Sequence, residues 1–265
     1  MRPIQLHDKG RIEAFLLRRP ELNFYHLGDL DDFFWPYTQW LALEEDGEVT
    51  ALALVYSGGD PPVLLAIEND NHAEMLALLT GSLPLLPPRV YSHLSAGLDA
   101  AFRATHDIES HGEYRKMALR HPGRLDGIDS AGVEALGPAN LDELRALYDA
   151  AYPGNWFDPR MLETGQYAGV RGTDGALAAV AGIHVYSPAY RIAGLGNITA
   201  HPAQRGQGLG TTVTAGLCKQ LLATVDHIGL NVRADNSAAI RAYEKCGFEV
   251  VGTYYEAMLT RSASA

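Results

Sequence analysis

The sequence predicts a mixed fold, an α+β or α/β arrangement of strands and helices around one sheet, and predicts it twice along the chain. Three observations carry this. Two strand-like runs flank an Asp174-Gly175 turn, the strongest short hairpin signal in the sequence. A strand near 192–200 runs through a glycine-rich turn into an apolar stripe with helical spacing. Segments of the first half then reappear in the second in the same order.

Taken in order, residues 133–136 read as a short strand, and "NLDELRALYDAAYP" as a helix with Leu141, Leu144, Leu147 and Tyr148 on one stripe. Pro153 and Gly154 end that helix. "QYAGVRGTDGALAAVAGIHVYSP" gives the two hairpin strands, and "IAGLGNITAHP" a third strand stopped by Pro202. Val213, Leu217 and Leu221 recur every fourth residue, which predicts a helix over 210–224 with one face in the core. "HIGLNVRA" is a strand. "NSAAIRAYEKC" is a helix capped by Asn236 and stopped by Gly247, and "FEVVGTYYEAML" reads as a final pair of strands.

In the first half, "QWLALEEDGEVTALALVYS" (39–57) lines up with "QYAGVRGTDGALAAVAGIHVYS" (166–187), and "AAFRAT" (100–105) with "AAIRAY" (238–243). A Tyr-x-x-Met follows each, at 114–117 and 255–258. Agreement in order at three places favours duplication over chance similarity. The Gly-, Pro- and Asp-rich stretch 121–132 is the expected linker, giving two domains, 1–125 and 126–265.

Composition narrows the function. With 47% apolar and 20% charged residues, 265 residues suffice for a real core. Both halves share the net charge of −11, and no arginine cluster offsets it, which argues against nucleic acid and anionic membranes as partners. Cys218 and Cys246 sit in helical stretches, and the ten histidines show no metal spacing, so a reducing compartment and no metal are expected. The first twenty residues lack the apolar core of a signal peptide, and no run approaches a membrane span; the cytoplasm is the expected location.

The chemistry gathers at "HPAQRGQGLGTT", residues 201–212. Glycines at 206, 208 and 210 precede a helix start, where unpaired N–H groups and the helix dipole favour an anion and a missing Cβ lets a phosphate approach. The NTPase phosphate loop does not fit, because Gly210 is followed by Thr211-Thr212 and not by Lys and Ser or Thr. The dinucleotide fingerprint fails as well, its last glycine falling on Thr211.

Arg205, Gly208 and Gly210 do fit R-x-x-G-x-G, and Asn236, Ala239, Tyr243, Gly247 and Phe248 fit N-x-x-A-x-x-x-Y-x-x-x-G-F. Together, over 197–248, they resemble the GNAT superfamily of acetyl-CoA-dependent N-acyltransferases. The resemblance implies two GNAT-like domains, each a mostly antiparallel mixed sheet flanked by helices. The second would bind coenzyme A and act as catalyst. The first, lacking a glycine loop after its strand at 63–68 and carrying Thr105 where Tyr243 aligns, would be degenerate. Covering a sheet face, shaping the acceptor cleft and homodimer contact all stay open as its role. The layout is similar to that of glycine N-acyltransferase-like proteins, a likeness that names no acceptor.

By position, the resemblance implies that the backbone of Arg205, Gly206, Gln207, Gly208, Leu209, Gly210 and Thr211 cradles the pyrophosphate of acetyl-CoA. Ile198, Thr199 and Ala200 would pair with the pantetheine amides, and Asn236 would bond the same arm. Tyr243 would serve as the acid for the leaving thiolate, and a main-chain N–H of 197–200 would polarise the acyl carbonyl. Each has a plainer alternative: a tight turn, a helix cap, a core tyrosine, and for Arg205 a solvated charge. The acidic residue that many relatives carry before the loop is missing, its places held by Gly196 and Asn197. His184 is the candidate base, with Glu163 and Asp158 weaker ones and a water chain open. Tyr152, Trp156 and Phe157 occupy the place of the substrate loop, to line an acceptor pocket or plug the sheet end. The expected activity is direct acetyl transfer to a primary amine in a ternary complex; the alternative is a non-catalytic acyl-CoA sensor or scaffold.

Overall fold

The computed structural model describes residues 2–262. The chain forms two compact units. The first runs to Lys116 and also takes in Arg233–Asp235 and the chain from Val251 onward; the second comprises Met117–Val232 and Asn236–Val250.

In chain order the first unit holds β1 (Ile4–Gln5), α1 (Lys9–Leu16), α2 (Phe24–Gly28), β2 (Thr38–Glu45), β3 (Glu48–Tyr56), β4 (Val63–Ala66), α3 (His72–Ser82), β5 (Arg89–Leu94) and most of β6 (His106–Leu119). Asp46 (φ 51°) and Gly47 (φ 86°) turn β2 into β3, the two left-handed residues that a tight hairpin demands. β4 and β5 are parallel, joined by the α3 crossover. Leu41, Leu43, Ala51, Ala53, Leu64 and Ala66 pack with Met75, Leu78 and Leu79 of α3 to make this unit's main core. Elsewhere in the unit α2 buries Phe24, Tyr25 and His26, and the Lys116 ammonium lies 4.4 Å from the Phe24 ring centre, 5.2 Å from Tyr25 and 5.5 Å from Tyr254.

The second unit follows the order read from the sequence: β7 (Val133–Leu136), α4 (Leu141–Ala151), β8 (Tyr167–Arg171), β9 (Leu177–Ser187), β10 (Ile192–Ala200), α5 (Leu209–Leu221), β11 (His227–Arg233), α6 (Ser237–Cys246) and the start of β12 (Phe248–Arg261). Its sheet runs β7-β8-β9-β10-β11, antiparallel until the parallel β10–β11 pair. Val213, Leu217 and Leu221 of α5 are buried, as are Leu144, Leu147 and Tyr148 of α4, so both predicted stripes face core, with Leu141 at the start of the α4 stripe half-buried. Both units are thus mixed α+β with mostly antiparallel sheets flanked by helices.

Three details differ from the sequence reading. The predicted final pair of strands is one strand, β12, whose later half pairs antiparallel with β5 from Tyr255↔Leu94 to Thr260↔Arg89. Gly252 is no turn: a Cβ there would press on Leu22 at 2.7 Å, so close packing explains the glycine. This strand carries residues from 251 onward into the first unit, and the units divide at Lys116/Met117 within β6. "AAFRAT" is not a counterpart of the α6 helix. Gly97 (φ 82°) opens a short 3-10 turn, Leu98–Ala101, and Phe102 is fully buried before the chain enters β6. The expected linker contains an ordered 3-10 segment, Pro122–Gly127, anchored by buried Leu125. Among the described residues, no helix is long and apolar enough to cross a membrane.

Candidate active site

The site is built on β10, whose two neighbours fail it at different points. The parallel ladder with β11 runs from Ile192↔His227 to Leu195↔Leu230 and ends there, although β10 continues to Ala200. From Gly196 on, the edge of β10 on the β11 side has lost its ladder partner, leaving backbone groups that an extended ligand can pair with. On the other side, the register with β9 shifts twice, between Gly194 and Leu195 and between Gly196 and Thr199. The first shift makes His184 the extra residue of β9. The second leaves one residue unmatched on β10, where Asn197 takes a left-handed conformation (φ 54°). Ile198, Thr199 and Ala200 follow, half-buried.

After Pro202–Gln204 the chain enters the glycine loop. Gly206 (φ 79°) and Gly208 (φ 82°) need their freedom for backbone reasons, and Gly208 caps α5. Gly210 does not: its φ is ordinary, and a Cβ on it, as on Gly206 or Gly208, would meet no atom within 4 Å. Protein packing therefore does not explain the bare surface of this loop. The first helical bond runs from the Thr212 N–H to the Gly208 carbonyl (3.0 Å), so the N–H groups of Leu209, Gly210 and Thr211 stand at an open helix mouth. The Arg205 side chain donates to the Ala200 carbonyl (3.3 Å) and the Ala151 carbonyl (2.9 Å), clasping the loop to the ends of β10 and α4.

α6 brings Asn236 and Tyr243 to the same unit. Asn236 Oδ1 accepts from the Ala239 N–H (3.1 Å), the predicted cap, and Gly247 (φ 99°) ends the helix. The Cys246 thiol reaches the Thr211 carbonyl (3.6 Å), fixing the end of α6 to the start of α5. Tyr243 is 7% exposed, edge-on to Phe248. Burial pushes its phenol well above the ordinary tyrosine range, and Tyr152 is the next contributor, which sets these two phenols near each other. Cys218 and Cys246 are buried, their thiols pushed up by desolvation, Cys246 to about 11.

The remaining candidates gather beside Gly196. A Cβ on Gly196 would collide with the His184 ring, and one on Gly182 with the Tyr167 ring, so two glycines let two rings lie flat across the strands. Trp156 stands edge-on to His184 at 5.6 Å between ring centres. Phe157 packs between Tyr148 (5.1 Å) and Tyr167 (5.9 Å). Tyr152 and Trp156 stay exposed at 46% and 37%. Asp158 pairs with Arg160 and caps the 3-10 turn that follows, and Glu163 is exposed. Of the three carboxylate and imidazole candidates, His184 alone lies against the place where an acidic residue was sought.

Residues 141–248 match the family model described as the acetyltransferase (GNAT) family. Residues 141–248 thus carry a GNAT domain. Its solved structural neighbours agree in fold. A GNAT-family acetyltransferase from Novosphingobium aromaticivorans is 24% identical, with 80% of this chain and 89% of that one covered at a TM-score of 0.58. A Drosophila protein is 13% identical over 97% and 98%, with a TM-score of 0.73. A tandem GNAT protein from the clavulanic acid biosynthesis pathway is 16% identical over 97% of both chains, with a TM-score of 0.57. No curated protein matches by sequence. The GNAT domain thus contains every site residue predicted from sequence. What that reading missed are Tyr148 and Tyr167, taken as core and strand. The signal was Gly182, a glycine inside an apolar strand, which marks a close approach that a ring can fill.

Proposed function

We propose that the second unit is an N-acetyltransferase that moves the acetyl group of acetyl-CoA to a primary amine by direct attack in a ternary complex. The observation that carries this is Gly210, bare without need of backbone freedom or space, at an open helix mouth beside an unpaired strand edge. Acetyl-CoA would supply the activated thioester. The N–H groups of residues 205–211 hold its pyrophosphate, the main chain of Ile198–Ala200 aligns the pantetheine amides, and Asn236 keeps its amide N–H for the same arm while Oδ1 serves the cap.

Within this reading, the bulge at Asn197–Ile198 turns a main-chain N–H toward the acyl carbonyl. His184, lying over Gly196, takes the proton from the incoming amine. Tyr243 faces the departing sulfur. Its phenol is too weak an acid to surrender its proton to a thiolate outright, so it stabilises the thiolate as a hydrogen-bond donor. Tyr152, Trp156 and Phe157 line the acceptor's approach.

Calorimetric titration with coenzyme A, followed by an amine panel read by free-thiol release, tests the proposal. Micromolar binding with acceptor-dependent thiol supports it. Binding without thiol release on any amine sinks the catalytic reading in favour of an acyl-CoA sensor, for which the missing carboxylate at Gly196 and Asn197 is the specific argument. In Tyr243→Phe, turnover should fall at least tenfold with coenzyme A affinity retained.

A further inference from the structure

Asn197 stands where an acid was sought and cannot act as one, yet it is among the most constrained residues of the second unit. It is 5% exposed and holds a left-handed backbone (φ 54°) that few non-glycine residues adopt. Three hydrogen bonds fix it there. Its Nδ2 donates to the Trp156 carbonyl (3.2 Å) and to the Tyr167 hydroxyl (3.2 Å), and its own carbonyl accepts from the Tyr148 hydroxyl (3.0 Å). The Tyr167 hydroxyl in turn donates to the Ile183 carbonyl (3.3 Å), next to His184.

These bonds join parts that the reaction needs in register. Asn197 is the bulge residue, so its φ sets the direction of the following N–H groups on β10. Trp156 belongs to the acceptor segment, and its ring stands against His184. Tyr148 comes from α4 and Tyr167 from β8. One residue therefore ties the acceptor segment to the strand that presents the acyl-binding N–H groups, and two of its three partners, Tyr148 and Tyr167, are buried.

We propose that Asn197 is a positioning residue that holds the acceptor segment and the β10 bulge in a single geometry, so that loosening it impairs acyl transfer and acceptor binding far more than coenzyme A binding. This rests on the acyltransfer reading. The clamp lies before the glycine loop and uses none of its N–H groups, so the pyrophosphate contacts are kept and only the pantetheine contacts of Ile198–Ala200 feel its loss. An asparagine is required because both of its side-chain bonds are donated to oxygen acceptors; aspartate keeps the shape and places a carboxylate against the Trp156 carbonyl.

The experiment compares Asn197→Gly, which accepts the left-handed backbone and removes the clamp, with Asn197→Asp, which keeps the shape and reverses the bonding. Both should lower kcat at least tenfold and raise the acceptor KM, with the coenzyme A Kd rising by less than fivefold; a Kd that rises as much as kcat falls overturns the division of labour. Tyr167→Phe should lower kcat severalfold, and combined with Asn197→Gly it should add nothing further, because the two act through one clamp. If Asn197→Gly does not fold, Tyr148→Phe and Tyr167→Phe carry the test, since each keeps its ring. Wild-type turnover with unimpaired kcat and KM in these variants overturns the clamp alone. Wild type that binds coenzyme A but transfers to no amine overturns the clamp together with the acyltransfer reading.

Discussion

Lys116 gives the most quantitative handle on the first unit. Its side chain is 2% exposed, its ammonium lies among the rings of Phe24, Tyr25 and Tyr254, and burial lowers its pKa to about 7 against the partial support of Glu256. In the unfolded chain the same group titrates near 10.4. Between these values the unfolded state binds more protons than the native one, so stability rises with pH across the window and is lowest at and below pH 7. Linkage over pH 7 to 8.5 yields about 1.5 kcal/mol of added stability from this one group. The neighbours add little over that interval. His26, held near 3, and His93, also lowered, are neutral in the native state above pH 7 and about a quarter protonated when unfolded at pH 7, so each adds only about 0.2 kcal/mol in the same direction. Tyr91 and Tyr254 are pushed up by burial and by Glu256, to which both donate, and act only at higher pH. The assay is urea unfolding of Trp156→Phe, which keeps only Trp35 and Trp40, both in the first unit, as reporters. The midpoint should climb from pH 7 to 8.5, and most of that climb should be lost in Lys116→Met, leaving the small histidine contribution. A midpoint that falls or stays level in the Lys116 protein refutes the argument.

Gly210→Ala should leave the fold intact or stabilise it by up to about 1 kcal/mol, because alanine is the better helix former, while weakening coenzyme A binding at least tenfold; unfolding and calorimetry on one sample separate the two effects. His184→Gln should lower kcat at neutral pH by about 10²-fold or more. Gly196→Ala, whose Cβ displaces the imidazole, should reproduce that loss, and normal turnover in both would remove His184 from the reaction. Asn236→Ala should cost about 1 kcal/mol of stability through the lost cap, read by thermal unfolding.

Legibility in the sequence tracked how local the determining physics was. The hairpin at Asp174-Gly175, the α5 stripe and the Asn236 cap are set by residues a few positions apart, and each lies where the pattern put it. The course of β12 was not legible, because Tyr255 meets Leu94 across more than half the chain and only packing against Leu22 explains Gly252. In the site, the bare loop before α5 was readable because glycines mark it. The clamp was not, because asparagine at 197 looks on paper like a failed acid. Only its φ and its three partners show what it holds.

Two glycines, Gly182 and Gly196, bear on the proposed role of His184. They are direct partners across the β9–β10 ladder, and each lies under a ring, Tyr167 over the first and His184 over the second. An acidic side chain at 196 would need the volume that the imidazole fills, so the carboxylate and this placement of His184 exclude each other sterically. At position 196 the absence of an acid and the presence of the histidine ring are therefore one structural fact. Restoring the acid alone, as Gly196→Glu, should expel the His184 ring and disturb Trp156 with it. Full activity in that variant would mean that the histidine was only filling space.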